Sequence, residues 1–321
     1  MIVFVNKKSG KKGGQYFADL LKEVIPPHHI IDLMQTPLGP HKGFPHLNQD
    51  SKIICCGGDG TASWVISALQ AQSMKNPIGI FPLGTGNDLS KVLGWPIKEE
   101  GYFEQPKPNR QHQDLQYLSQ SLSKFLEAKT VLLDSWLLQT DNQKPTPFFN
   151  YFSIGFDSRI AWEFHKMREE KGDLFVAQKS NYIAATLKVK KQRDVKEYAS
   201  LQVDGKEVPL SKGIRSLLFL NIPSYASGSN PWGGSLGSWA RQDYSDGVLE
   251  VIGLKGAKQM ALIQAGLAKG ERIAQGASAT LKVFDDAETI YAQTDGEPWA
   301  LPLQCTLQLA HSGQSPMLSL T

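Results

Sequence analysis

The chain has 321 residues, 41% hydrophobic and 20% charged, the balance of an ordinary globular protein with room for two domains. Its 34 basic and 31 acidic residues leave a net charge of +3, too slight to argue for nucleic acid and compatible with an anionic membrane surface. The longest apolar runs, such as residues 216–222, fall far short of the ~20 residues of a membrane span. The apolar start, Met1 to Val5, precedes its basic residues where a signal peptide would follow them, so the expected location is intracellular.

In chain order, Met1–Val5 reads as a buried parallel-type strand, Gln15–Ile25 as a helix and Ile30–Met34 as a second strand. Lys52–Cys56 is a third strand, closed by Gly57-Gly58. Ala62–Gln72 is helical, and Pro77–Phe81 is a fourth strand ending at Pro82-Leu-Gly-Thr-Gly86. Strands alternating with helices predict a parallel sheet with covered faces, and ligands in such sheets bind beyond the carboxyl ends of the strands. Residues 99–113 read as a polar surface excursion, and Asp114–Glu127 as a helix. From Lys129 onward strand-like runs dominate: Thr130–Leu138, Phe148–Ile154, Ala199–Val203, Leu217–Ile222, Val248–Gly253, Thr280–Phe284 and Thr289–Thr294. Helical stretches at Ile160–Glu170 and Gln178–Lys191 interrupt them. A boundary near residue 130 separates an α/β domain from a β-rich one.

Three glycine-bearing turns share the carboxyl edge of the first sheet. Gly57-Gly58-Asp59-Gly60-Thr61 joins a strand to a helix. Glycines let backbone N–H groups crowd around an anion, and the helix adds its positive end. Asp59 cannot bind phosphate itself; it suits Mg²⁺ or a water beside the phosphates, or else caps a helix. Gly84-Thr-Gly-Asn-Asp88 is a second loop, in which Thr85 and Asn87 offer neutral donors. Asn6-Lys-Lys-Ser-Gly10 is a third. No Gly-x-x-x-x-Gly-Lys-Ser/Thr is present, which excludes a P-loop. In the second half, Asp295 and Glu297 flank Gly296. A carboxylate there could take a proton from an attacking hydroxyl, or the Asp-Gly pair could simply turn a hairpin. Asp243-Tyr-Ser-Asp-Gly-Val248 is likewise a turn or a metal-holding loop. Cys55, Cys56 and Cys305 fit neither a zinc site nor a disulfide framework and read as core residues. His28, His29, His41 and His46 lack metal-ligand spacing.

These stretches, in order, resemble the catalytic region of the diacylglycerol kinases, within the wider family of sphingosine and bacterial lipid kinases. The resemblance rests on Cys56–Thr61, Pro82–Leu89, Asn150–Asp157, Asn221–Gly228, Asn230–Gly233, Ser245–Glu250, Arg272–Gln275 and Asp295–Trp299, with Phe4–Asn6 and Ser9-Gly10. The later motifs look most like the eukaryotic-type subgroup. The first loop departs from the family, carrying Asn6-Lys-Lys where Asn-Pro-Lys is usual, so Lys7 does not fix φ as proline would.

The resemblance implies an α/β nucleotide domain over 1–130, a β-rich sandwich-like accessory domain over 131–304, and a segment, 305–321, returning to the first. It implies ATP as phosphate donor with Mg²⁺. Asn6, Ser9, Gly10, Thr36, Gly57, Gly58, Asp59, Gly60, Thr61, Gly84, Thr85 and Asn87 would line the nucleotide site. Asp295 would be the general base, with Glu297 beside it. Asp59 would act through Mg²⁺, and Asp246, with the carbonyls of Asp243 and Val248, would hold a structural metal. The acceptor would be diacylglycerol at a membrane surface, giving phosphatidic acid, with the enzyme cytoplasmic and peripheral to the membrane; a homodimer stays open. Trp232, Trp239 and Trp299 are candidates for lipid contact, though core or turn packing suits each of them better. Sphingosine or ceramide as acceptor, and a non-catalytic nucleotide-binding regulator, are the competing readings.

Overall fold

The computed structural model describes all residues except 11–12, 36–38, 85, 96–102, 104–109, 142, 172–184, 187, 190–192, 235–236 and 285–287. The chain divides into two compact units, Met1–Leu133 with Gln314–Thr321, and Asp134–Gly313.

Unit 1 is built on parallel strands β1 (Ile2–Val5), β2 (Ile30–Asp32), β3 (Ile53–Gly57) and β4 (Ile78–Pro82), in spatial order β2-β1-β3-β4. Val3 pairs with Ile30 on one side and Ile54 on the other. All four residues of β1 and all five of β3 are buried, the result of helices covering both faces. Helix α1 (Gly13–Val24) buries Phe17, Leu20 and Leu21 at helical spacing, and α4 (Gln111–Glu127) buries Leu118, Leu122 and Phe125 likewise. Gly79 in β4 has a packing reason: a Cβ there would come within 2.4 Å of the Phe125 ring. Helices α2 (Asp59–Ala71) and α3 (Asp88–Val92) follow β3 and β4.

β2 ends two residues before the expected Met34. Asp32 bends the chain there, its carboxylate accepting the Met34 N–H at 2.9 Å. α2 begins three residues before Ala62, because Gly58 is extended (φ −95°, ψ −173°) and Asp59 is already helical. The predicted polar excursion lies largely outside the described residues, as does most of Gln178–Lys191.

In unit 2 the strand β5 (Lys129–Thr140) enters from unit 1 and pairs with β6 (Thr146–Phe148). One antiparallel sheet contains β7 (Tyr151–Gly155), β10 (Ser216–Leu220), β11 (Leu249–Leu254), β12 (Glu271–Gly276), β14 (Tyr291–Thr294) and β15 (Glu297–Ala300), in order β12-β11-β10-β7-β14-β15. Opposite it, β8 (Ala199–Val203) pairs with β9 (Lys206–Val208) and with β13 (Ser278–Val283). β13 in turn pairs with residues 306–310 of the long strand β16 (Thr306–Ser319). Alternation along β10 explains the layering. Leu217 and Phe219 join a core with Phe152, Val251, Leu281 and Leu307, between the two sheets. Leu218 and Leu220 face the other way, onto Phe156, Ile160 and Met167 of helix α5 (Phe156–Lys171) and Met260 of α6 (Ala257–Gln264). With both faces covered, the strand reads as one continuous apolar run.

The expected single strand Phe148–Ile154 is broken. β6 ends at Phe148 and β7 starts at Tyr151, because the main-chain N–H groups of residues 149–151 leave the ladder for the Asp295 carboxylate. Trp232 is a buried core residue, stacked edge-on against Trp239 at 5.2 Å between ring centroids. Trp299 packs partly buried on the inter-sheet core, so core packing accounts for all three tryptophans.

Candidate functional site

The three glycine loops of unit 1 are locked together by their main chains. Asn6 follows β1, and its N–H reaches Cys56 O at 3.0 Å. Its side-chain amide donates to Thr61 Oγ1 at 3.0 Å, while its Oδ1 accepts the Lys8 N–H at 3.0 Å. Asn6 thus couples the first loop to the start of α2. Gly10 (φ +60°) lies so close to Leu83 that a Cβ would stand 2.5 Å from the carbonyl oxygen. Gly58 and Gly84 meet backbone to backbone, and a Cβ on Gly84 would come within 2.5 Å of Gly58 Cα. Leu83 N–H donates to Gly57 O and Asp59 N–H to Gly86 O, at 3.0 and 2.9 Å. Glycine is required here by this close approach.

Asp59 is buried, and its carboxylate faces the next helix. Oδ2 accepts the N–H of Asp88 at 2.8 Å and Oδ1 that of Leu89 at 3.2 Å. It therefore caps α3, 29 residues downstream, where the sequence suggested a cap on its own helix or a metal contact. Asn87 donates its side-chain amide to Gly84 O. Its Oδ1 is buried with no hydrogen-bond donor among the described residues, so as oriented Asn87 offers an acceptor where a donor was expected. Ser9 is half-buried on the first loop. Thr36 and Thr85 lie outside the described residues. Lys7 pairs with Asp32 at 2.9 Å. Burial pushes the Asp32 carboxyl up, but the bonds from Lys7 and the Met34 N–H outweigh it and hold the group below its ordinary value.

In unit 2, Asp295 and Gly296 form the two-residue turn between β14 and β15, with φ of +48° and +89°. The hairpin reading is thus correct, and it coexists with a second feature. Asp295 accepts three main-chain N–H groups: Phe149 on Oδ2 at 3.0 Å, and Asn150 and Tyr151 on Oδ1 at 2.8 and 3.0 Å. Its carboxylate is held by backbone on a rigid sheet. Glu297 is exposed and stands 3.9 Å from His165 Nδ1.

Sequence reading missed Asp157. It is buried, and its Oδ2 accepts from Ser153 Oγ (2.7 Å), Tyr225 OH (2.9 Å) and Gln293 Nε2 (3.0 Å). Burial pushes this carboxyl up against those hydrogen bonds. It ties β7, α5 and β14 together, the last through Gln293, two residues before Asp295. The signal available was its place at the end of the motif Asn150–Asp157.

The loop 243–248 is acidic and self-bonded. Asp243 Oδ1 accepts the Ser245 N–H and hydroxyl, and Asp246 Oδ1 accepts the Val248 N–H at 2.9 Å. The buried Asp134 accepts the Gly247 N–H at 2.6 Å and contacts His311 Nε2 at 2.8 Å. Burial, with added like charge from Asp243 and Asp134, pushes the Asp246 carboxyl up. Among the described residues no three His, Cys, Asp or Glu side chains converge as metal ligands. A hard cation held by one carboxylate, main-chain carbonyls and waters needs no such convergence, so the donor chemistry of this loop fits Mg²⁺. Cys55, Cys56 and Cys305 are buried and free, and burial pushes Cys55 up to about 12.

Comparison with known proteins follows the same division. The family model described as the diacylglycerol kinase catalytic domain matches residues 1–116, and that of the diacylglycerol kinase accessory domain matches residues 147–298. Mouse diacylglycerol kinase theta is 33% identical over 319 residues, covering 93% of this chain and 33% of the relative. Diacylglycerol kinase 1 of Arabidopsis thaliana is 29% identical, covering 99% of this chain and 44% of its own length. The chain thus spans less than half the length of these relatives. A crystal structure of a diacylglycerol kinase from Bacillus anthracis aligns over 99% of this chain and 96% of its own, with a TM-score of 0.56 at 17% identity, a likeness of fold. No helix among the described residues is long and apolar enough to cross a membrane.

Proposed function

Because this chain belongs to the diacylglycerol kinase family, we propose that it transfers the γ-phosphate of ATP to the primary hydroxyl of diacylglycerol, giving phosphatidic acid and ADP. The observation that carries the reading is the backbone lock of Gly58 against Gly84 inside the segment matched by the catalytic-domain model. It brings two glycine-bearing turns together at the carboxyl end of the sheet, with the Thr61 and Asn87 side chains beside them.

The nucleotide phosphates sit on Gly57–Thr61, at the positive end of α2. Asn6, Ser9, Gly10, Gly84 and Asn87 shape that loop cluster, with Thr36 and Thr85 as further contacts. Asp59 holds the second glycine loop in place through α3, and it would hold Mg²⁺ or a water beside the phosphates. Mg²⁺, when bound, would neutralise charge building on the transferred phosphoryl group. Asp246, with the carbonyls of Asp243 and Val248, would hold a structural Mg²⁺.

Asp295 accepts the proton of the lipid hydroxyl as it attacks, with Glu297 beside it. Three backbone N–H groups fix the carboxylate, so its position does not depend on side-chain packing. The lipid acceptor places the enzyme at a membrane surface as a peripheral protein.

The test is ATP consumption with and without lipid micelles. Consumption should rise with diacylglycerol and less with sphingosine or ceramide. A preference for either of those moves the acceptor. No rise with any lipid alcohol supports a nucleotide-binding regulator instead.

A further inference from the structure

Two of the N–H groups that hold Asp295 belong to peptide planes whose far ends are held by one buried residue, Asn221. Asn221 follows the last residue of β10 and is 1% exposed. Its main-chain N–H donates to Asn150 O at 2.9 Å, one step beyond the ladder pair of Leu220 with Tyr151. Its side-chain Nδ2 donates to Phe149 O and, at 2.9 Å, to Asp134 O. Its Oδ1 accepts the indole N–H of Trp136 at 2.9 Å.

A trans peptide points its C=O and its N–H in opposite directions. The plane joining Phe149 to Asn150 has its C=O on Asn221 Nδ2 and its N–H on Asp295 Oδ1. The plane joining Asn150 to Tyr151 has its C=O on the Asn221 main chain and its N–H on the same Asp295 oxygen. Both planes are thus gripped at both ends, by Asn221 on one side and by the carboxylate on the other. A hydrogen bond to a peptide C=O also polarises the group and strengthens what its N–H donates.

The Asn221 amide has one orientation open to it. The indole N–H can only donate, and the carbonyls of Phe149 and Asp134 can only accept. A flipped amide would set NH₂ against the indole N–H and Oδ1 against two carbonyls. Aspartate, of the same shape, would bring a second acceptor to those carbonyls. The main-chain bond to Asn150 O carries the β7–β10 pairing one step further. The side-chain bond to Phe149 O lies outside that ladder and acts on a plane that seats Asp295.

We infer that Asn221 is a positioning residue for Asp295, fixing the peptide planes on which the carboxylate is seated. The seating stands on this geometry; its effect on turnover rests on the reading of Asp295 as the base.

The test is a double-mutant cycle on the full chain, Asn221→Ala against Asp295→Asn, read by steady-state lipid phosphorylation and by amide hydrogen exchange. Asn221→Ala should lower kcat roughly ten- to hundredfold, the scale of a slightly misplaced reacting group, with KM for ATP within about twofold of wild type. Added to Asp295→Asn, it should lower kcat less than about twofold further, because its effect runs through the carboxylate. Exchange at the amides of residues 149–151 should quicken, while the β10–β11 ladder keeps wild-type protection. Trp136→Phe removes the bond that orients the amide and should lower kcat about two- to tenfold, the scale of one hydrogen bond. It carries the test if circular dichroism shows Asn221→Ala to be unfolded. Unchanged exchange at residues 149–151, or losses in kcat that multiply in the double variant, overturns the inference. Quickened exchange with near-wild-type turnover by Asp295→Asn upholds the seating and overturns the base reading alone.

Discussion

The carboxylate of Asp59 accepts the main-chain N–H of Asp88 at 2.8 Å, tying the first helix-opening glycine loop to the second across 29 residues. The acidic residue of Gly-Gly-Asp-Gly is thus a structural tie before it is anything else. Asp59→Ala should lower stability by ~1–2 kcal/mol through loss of the α3 cap and weaken nucleotide binding by loosening residues 84–87. Asp59→Asn keeps one acceptor oxygen but turns its NH₂ on the other backbone N–H, so it should lose about as much as Asp59→Ala. Denaturant unfolding with nucleotide titration measures both. Wild-type stability in Asp59→Ala would show that the tie holds nothing.

The two glycines flanking Thr85 look equivalent in sequence and are not equivalent in space. A Cβ on Gly84 meets Gly58 Cα at 2.5 Å, whereas the nearest atom to one on Gly86 is Asp59 Oδ2 at 3.8 Å. Gly84→Ala should therefore cost ~1–3 kcal/mol and most nucleotide affinity. Gly86→Ala should stay within about 0.5 kcal/mol of wild type. Thermal unfolding of the pair checks it, and equal effects at both positions would contradict the lock.

Glu250 is fully buried in β11, hydrogen-bonded by Gln275 at 3.1 Å and Gln242 at 3.3 Å. Burial pushes its carboxyl up to about 7, with like charge from Asp246 adding to the effect. A carboxyl raised on folding contributes stability that is complete below its unfolded value, near 4.5, and is lost as pH climbs through 7. Glu250→Gln should remove this loss. Relative to wild type, its stability should rise between pH 4.5 and 7 and level off above, by at most roughly 3 kcal/mol. Parallel pH–stability curves for the two proteins would refute the assignment.

Asp295→Asn is a less neutral probe than its shape implies. The amide NH₂ must face at least one of the three backbone N–H donors, donor against donor. The variant should lose ~1–3 kcal/mol of stability as well as most turnover, by roughly 10²–10⁴-fold if Asp295 is the base. It should still bind ATP. Retained ATP binding with near-wild-type lipid phosphorylation would remove Asp295 from the role.

Much of unit 1 was legible because strands buried on both faces, β1, β3 and β4, stand out as short apolar runs, β3 closed by glycine and β4 by proline. β10 was legible for the same reason. β16 was not: its first residues alternate buried and exposed, its last three are all buried, and a polar centre at His311–Gly313 masks the continuity. The Asp295-Gly296 turn could be read locally, since two positive-φ residues need that dipeptide. Its three N–H partners could not, as they lie 144–146 residues away. The same distance problem hid the Asp59 cap, whose partner lies 29 residues on.

The central claim is a phosphoryl transfer to a lipid hydroxyl, and label transfer reads it directly. ATP labelled at the γ-phosphate is incubated with the protein, Mg²⁺ and mixed micelles of diacylglycerol, sphingosine or ceramide, and the extracted lipid is resolved. The account predicts label in phosphatidic acid, above that in either other product and abolished without Mg²⁺. Unlabelled lipid in every mixture, with ATP bound and intact, would contradict it.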